Sequence, residues 1–230
     1  MDYTREFFSQ SYNNALEDYF YACNNSEFFA WDKVILTAAN ERQAEAYRLQ
    51  ISVRKEQHRL PFNTKFEVVA DYKDQRVGSG GATLNVLRFL IEKYGIEATL
   101  SEKILLINSG GDSKRIPQYS ACGKLFAPVL RTIGNEYVST IFDELLIASI
   151  DIPNRIGSGM LVLPSDTELL FNSVQLDLLS CDAAGLSMKA PVSEGVEHGV
   201  FLQGEDKSDR RNYNVSRFLH KLPEKYLAQQ

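Results

Sequence analysis

The chain has 230 residues, 44% of them hydrophobic and 24% charged, with a net charge of −5 and a pI of about 5.3. These proportions are globular and exclude disorder, collagen and coiled coil, while the acidic balance argues against a general nucleic-acid binder. An anionic small molecule stays admissible, because a local basic cluster can outweigh the global charge.

Residues 1–30 are rich in aromatics, and Leu16, Tyr19, Phe20 and Cys23 recur at helical spacing, which predicts a helix docked on a core. Residues 31–40 read as a buried strand. Residues 41–57 read as a charged helix with Ala44, Tyr47 and Ile51 on one face. Lys65–Ala70 reads as a second strand. Residues 83–94 read as a helix with Leu84, Leu87, Ile91 and Tyr94 as its apolar stripe, capped by Thr83 and ended by Gly95. Lys103–Asn108 is a third strand, and a long polar, glycine-bearing loop follows over 109–123. Residues 137–148 read as a helix carrying Val138, Ile141, Phe142 and Leu145. Residues 160–163 form a fourth strand. Strand-like pieces follow near 185–189, 199–203 and 216–220, and a helix begins at 223–228.

Strands alternating with helices predict an α/β fold with a Rossmann-like, mostly parallel central sheet, in a single domain over residues 1–230. Ligands in such sheets bind at the carboxyl ends of the strands. That edge collects residues 37–40, the loop that opens at Ser109, and the turn at Ser165 and Asp166. Cys23, Cys122 and Cys181 are widely spaced with no CxxC pair, which fits a reducing compartment. Residues 1–10 are unlike a secretory signal, and no apolar run approaches the ~20 residues of a membrane span. A cytoplasmic protein without membrane or nucleic-acid partners is expected.

Two glycine-rich segments carry chemistry. Residues 76–87, RVGSGGATLNVL, place Gly78, Gly80 and Gly81 before a helix, where bare backbone can approach a phosphate and the helix start favours an anion. Neither the dinucleotide fingerprint nor the Walker pattern is present, and a turn with a helix cap accounts for the same residues. Residues 108–129, NSGGDSKRIPQYSACGKLFAPV, combine Gly110 and Gly111 at a strand end with Lys114, Arg115 and Lys124. Phosphoryl and nucleotidyl transfer need this combination: amides to cradle a triphosphate and cations to offset charge that builds on the reacting phosphate. A solvated surface loop is the plain alternative. Asp166, after an apolar strand, is a candidate Mg²⁺ ligand and equally a helix cap for 167–171; Asp112 is a second metal candidate. Glu194, Glu197 and His198 match no zinc spacing. His58 reads as solvated and Cys122 as packing.

Residues 110–117 (GGDSKRIP) and 123–129 (GKLFAPV) resemble the glycine–arginine–proline signature of sugar nucleotidyltransferases and the lysine segment that follows it. Gly123 before the lysine, Ser113 in the glycine loop and the upstream GSGGATL resemble one branch. This is the fucose-1-phosphate guanylyltransferases, including the amino-terminal half of bifunctional fucokinase/GDP-fucose pyrophosphorylases. Residues 31–39 resemble that family's first strand, 198–201 its HGVF element and 218–221 its F-L-x-K segment. Gly123 stands where the wider superfamily has proline. Leu222 separates Lys221 from Pro223, and Ser165 precedes Asp166 where glycine is common.

The resemblance implies a GT-A-like domain that joins GTP and L-fucose 1-phosphate into GDP-L-fucose and pyrophosphate with Mg²⁺. It implies catalytic roles for Arg115 and Lys124, and nucleotide contacts from Gly78, Gly80, Gly81, Gly110, Gly111 and Ser113. The sugar phosphate would meet His198, Gly199 and Lys221, and Asp166 would serve the metal. Family members continue into a β-helix region and, in bifunctional proteins, a kinase. The chain is therefore expected to be a fragment that folds and binds nucleotide, turns over poorly alone, and associates as a homo-oligomer through an open carboxyl-terminal surface. The alternatives are a non-catalytic nucleotide-binding or regulatory domain, and a nucleotidyltransferase for another sugar 1-phosphate.

Overall fold

The computed structural model describes residues 3–28, 30–75, 77–109, 119, 123–134, 137–169, 178, 181–204 and 213–229. They fall into two compact units, Met1–Ser173 and Val174–Gln230.

In chain order the first unit contains α1 (Tyr3–Asn24), β1 (Lys33–Ala38), α2 (Glu41–Glu56), β2 (Lys65–Ala70), α3 (Gly78–Tyr94), α4 (Ile96–Ser101), β3 (Lys103–Asn108), β4 (Pro128–Ile133), β5 (Tyr137–Thr140), α5 (Ile141–Ala148) and β6 (Gly159–Pro164). The central sheet runs β2-β1-β3-β6 and every pairing is parallel. β1 is buried along its whole length, as its uninterrupted KVILTA run requires in the middle of a parallel sheet. The Rossmann-like α/β expectation holds.

α3 covers one face, where Val86 and Leu90 pack with Ile35, Val69, Ile104 and Leu106. By alternation, Val34 and Leu36 point to the other face. There Phe66 meets Phe142 of α5, with ring centroids 6.3 Å apart. α1 docks on α5, burying Tyr19 and Cys23. Burial pushes the Cys23 thiol up to about 12, which leaves it a packing group rather than a nucleophile. A buried ion pair, Arg54 to Asp143 (3.0 Å), links α2 to α5 beneath the ring of Phe126.

Several element readings change. α3 begins at Gly78, five residues before the expected start, and buries Ala82, Val86 and Leu90; Leu84 and Ile91 are exposed. The helix is apolar on more than one side, so spacing admits two stripes. The sheet takes the one with small Ala82, which allows a closer approach. Gly95 does end the helix, with φ +88. Residues 137–140 form a strand rather than a first helical turn, and the helix starts after Thr140, which shares a capping box with Asp143. β4 and α4 were not expected; β4 pairs with β5 as an antiparallel hairpin.

The second unit contains a 3₁₀ turn (Val192–Val196), β7 (Gly199–Gln203), β8 (Val215–His220) and α6 (Glu224–Leu227). β7 and β8 are an antiparallel pair, as the strand-like patterns at 199–203 and 216–220 predict. Residues 185–189 form no strand. Leu227 is buried, whereas Tyr226 is exposed. Among the described residues no helix is long and apolar enough to cross a membrane.

Candidate functional site

The three segments expected at one edge are hydrogen-bonded there. The hydroxyl of buried Thr37, in β1, accepts the Ser109 N–H at 2.9 Å, and the Ser109 hydroxyl donates to the Thr37 carbonyl. Ser165 N–H donates to the Asn108 carbonyl at 3.1 Å. The adjoining corner between β1 and α2 is fixed by Asn40, which caps α2, and by Gln43 Oε1, which accepts the Ala39 N–H at 2.8 Å.

The glycines at 78, 80 and 81 form the first turn of α3 rather than a loop before it. Gly78 has φ +70, and Val77 ahead of it offers no side-chain cap. With no side-chain cap from Val77, the N–H groups of this turn and the helix dipole make it suited to an anion. Asn108, the last residue of β3, donates from Nδ2 to Thr83 Oγ1 at 3.4 Å, which ties the turn to the strand end. Its Oδ1 is buried and has no hydrogen-bond partner among the described residues.

Lys124 opens a 3₁₀ turn, Lys124–Phe126, and its Nζ lies 3.6 Å from Asp166 Oδ2. The two side chains are 30% and 58% exposed. A pair this loose and wet is worth ~0–1 kcal/mol, so a ligand can separate it at little cost. Residues 167–169 begin no helix, so the capping reading of Asp166 has no support within them. As an accessible hard oxygen donor, Asp166 fits a cation that takes most of its ligands from water and phosphate. The segment after it is anchored: Arg131 of β4 pairs with Glu168 at 3.0 Å and with Glu144 of α5 at 2.5 Å. Tyr12 and Ser139 also donate to Glu144, at 3.2 and 2.5 Å, and burial pushes the Tyr12 hydroxyl up to about 12.

In the second unit, β7 and β8 bring the HGVF and FLHK elements together. Gly199 pairs with His220, and Lys221 N–H donates to the His198 carbonyl at 3.1 Å. A Cβ on Gly199 would stand 2.6 Å from the ring of exposed Phe218, so a side chain there would have to push that ring aside. His198 and Lys221 are exposed, and Lys221 holds a left-handed φ of +50. Such a conformation costs a non-glycine residue of order 1 kcal/mol.

Gly110, Gly111, Asp112, Ser113, Lys114, Arg115 and Cys122 lie outside the described residues. Among the described residues, no group of three His, Cys, Asp or Glu side chains is placed to hold a metal ion. Sequence reasoning missed Thr37, Asn108 and Ser109 as organisers of the edge. A polar residue closing the apolar strand ends ILT and LLIN was the available signal.

Residues 98–230 match the model of the fucose pyrophosphorylase domain. The chain is 36% identical over 199 residues to the fucose-1-phosphate guanylyltransferase of Homo sapiens, covering 83% of this chain and 32% of that protein. It is 33% identical over 198 residues to the Mus musculus protein of the same name, covering 83% and 33%. It is 27% identical over 210 residues to the bifunctional fucokinase/GDP-fucose pyrophosphorylase of Arabidopsis thaliana, covering 81% and 20%. The chain thus spans a third or less of the length of these relatives. No solved structure matches it. With more than half of its length matching the family model, and with these relatives aligned over most of it, the chain belongs to the fucose pyrophosphorylase family.

Proposed function

We propose that the chain is the nucleotidyltransferase domain of an enzyme that makes GDP-L-fucose from GTP and L-fucose 1-phosphate. The observation that carries this reading is the meeting of Lys124 and Asp166 at 3.6 Å, on the sheet edge where the Ser109 segment begins. An oxygen of the sugar phosphate bonds to the α-phosphorus of GTP as the bond from that phosphorus to pyrophosphate breaks. No covalent protein intermediate is needed, so the protein positions the two anions and offsets their charge.

In this reading the first turn of α3, with Gly78, Gly80 and Gly81, and the segment bearing Gly110, Gly111 and Ser113 hold the nucleotide. Arg115 neutralises the triphosphate, and Lys124 stabilises charge on the reacting phosphate or grips the sugar phosphate. Asp166 is the carboxylate that holds Mg²⁺, which when bound neutralises phosphate charge. Lys124 then exchanges its weak carboxylate partner for the phosphates. Asn108 Oδ1 offers an acceptor to a nucleotide donor. His198, Gly199 and Lys221 serve the sugar phosphate. The protein works in the cytoplasm, and its likeness to a bifunctional fucokinase/GDP-fucose pyrophosphorylase supports a kinase as its functional partner.

Thermal shift against GTP, UTP, ATP and CTP with Mg²⁺ tests the reading, because a ligand that binds only the folded state raises stability by RT ln(1 + [L]/Kd). A rise in Tm with GTP exceeding the others supports it. Equal or absent shifts with all four would overturn guanylyl transfer.

A further inference from the structure

Tyr47 sits in the middle of α2 with its ring fully buried, and the spacing of the helix explains only its apolar side. Its polar end does something more specific. The Tyr47 hydroxyl donates to the Ser109 carbonyl at 3.4 Å. The same oxygen occupies the space beside Gly123: a Cβ built there would stand 2.0 Å from Tyr47 Oη, 3.0 Å from Cζ and 3.2 Å from Gln43 Nε2. Gly123 also has φ +68 and ψ 166, a conformation open almost only to glycine. Proline, whose φ is fixed near −65°, cannot adopt it. One residue beyond Lys124 and Leu125, the Phe126 ring packs edge-on against Tyr47 with centroids 5.3 Å apart. A single side chain therefore touches Ser109, Gly123 and Phe126. Ser109 and Gly123 are the two ends of the segment that carries Gly110, Gly111 and Arg115, and Gly123 and Phe126 bracket Lys124 and Leu125.

We propose that Tyr47 is a positioning residue: its hydroxyl clasps the two ends of segment 109–123 and so sets where Lys124 stands at the sheet edge, with Gly123 the residue that makes room for it. This rests on the proposed nucleotidyl transfer for its kinetic consequence and on geometry alone for its structural one. Gln43, one turn before Tyr47 on the same face of α2, supports the clasp by holding the Ala39 N–H, so the clasp is keyed to the end of β1. The clasp moves no proton and touches no substrate. It acts by placement, and placement errors of about 1 Å cost on the order of 10²-fold in rate.

The test is a double-mutant cycle in the full chain with Tyr47→Phe and Gly123→Ala. Tyr47→Phe keeps the ring and its packing on Phe126 but removes the clasping oxygen. It is expected to lower kcat by about tenfold, with KM for sugar phosphate and nucleotide changed less than kcat. Gly123→Ala alone is expected to lower both Tm and kcat further, because the new methyl collides with the hydroxyl. Adding Tyr47→Phe to Gly123→Ala removes the colliding oxygen, so the double variant recovers part of the Tm lost by Gly123→Ala; this coupling identifies the clasp. Additive Tm losses, or a Tyr47→Phe enzyme with wild-type kcat, would overturn it. If the wild-type chain turns over no nucleotide at all, the functional reading falls, while the Tm cycle still decides the clasp.

Discussion

At the amino-terminal edge of the sheet, Lys33 opens β1 with its ammonium buried, paired with Glu102 and 4.1 Å above the Tyr94 ring. Beside it, Glu67 accepts from Lys93 at 2.6 Å and from Tyr94 at 2.5 Å. Burial pushes Glu67 up, but these partners outweigh it and hold the carboxyl below its usual range. At the carboxyl edge, Lys124 and Asp166 are 3.6 Å apart and both accessible. One edge uses its charges on each other and on aromatic faces, where they hold strands and α3 together. The other holds a cation and an anion loosely, beside helical N–H groups that have no side-chain cap. The strand framework is the same at both ends, so the difference lies in how firmly the charges are held. A charge committed to a buried partner is structural, whereas one left to water is available to a phosphate.

The comparison breaks first at Lys124. Lys124→Ala is expected to cut turnover at least ~10²-fold with Tm nearly unchanged, since one preorganised charge at a developing anion is worth a few kcal/mol. Steady-state pyrophosphate release checks it. The mirror substitution, Lys33→Met, is expected to leave kcat within about twofold but to cost about 2–3 kcal/mol of stability, because it strands a carboxylate that is only partly hydrated. Urea denaturation reads that loss.

Smaller effects sharpen the contrast. Asp166→Asn keeps the shape and removes the charge a hard cation needs, so folding should be intact while the Mg²⁺ titration of activity shifts to higher concentration. An unmoved titration assigns Asp166 to positioning Lys124 alone. The smallest effect is remote from both edges. Burial, and then a hydrogen bond with Asp151, raise the Asp18 carboxyl to about 6. Because the folded state binds this proton more tightly than the unfolded chain, the contribution is present below about pH 4 and lost as pH rises through about 6. Asp18→Asn should therefore flatten the dependence of Tm on pH across that window and raise Tm near pH 7.

The parallel strands were legible because KVILTA and KILLIN are apolar runs of strand length between helical stretches, and the shared edge followed from topology. The start of α3 was not, because glycines read as loop although each costs a helix only about 1 kcal/mol. Residues 137–148 failed for a different reason. Val138, Ile141, Phe142 and Leu145 fit helical spacing, and a four-residue strand is too short to oppose it, although Thr140 and Asp143 already spelled a capping box. The buried pairing of Arg54 with Asp143 was not legible, since nothing in local spacing reveals a partner 89 residues away. Gly123 was legible as a departure from proline, but its cause, a hydroxyl contributed by α2, exists only in three dimensions.

Amide hydrogen exchange with and without GTP and Mg²⁺ tests the central claim most directly, because it reads both edges of the sheet in one measurement. The account predicts new protection in peptides covering Gly78–Thr83, Ser109 and Gly123–Phe126 at the carboxyl edge, with unchanged exchange around Lys33 and Glu102 at the other. Protection centred on the amino-terminal edge, or the same carboxyl-edge protection in Lys124→Ala as in the wild type, would contradict it.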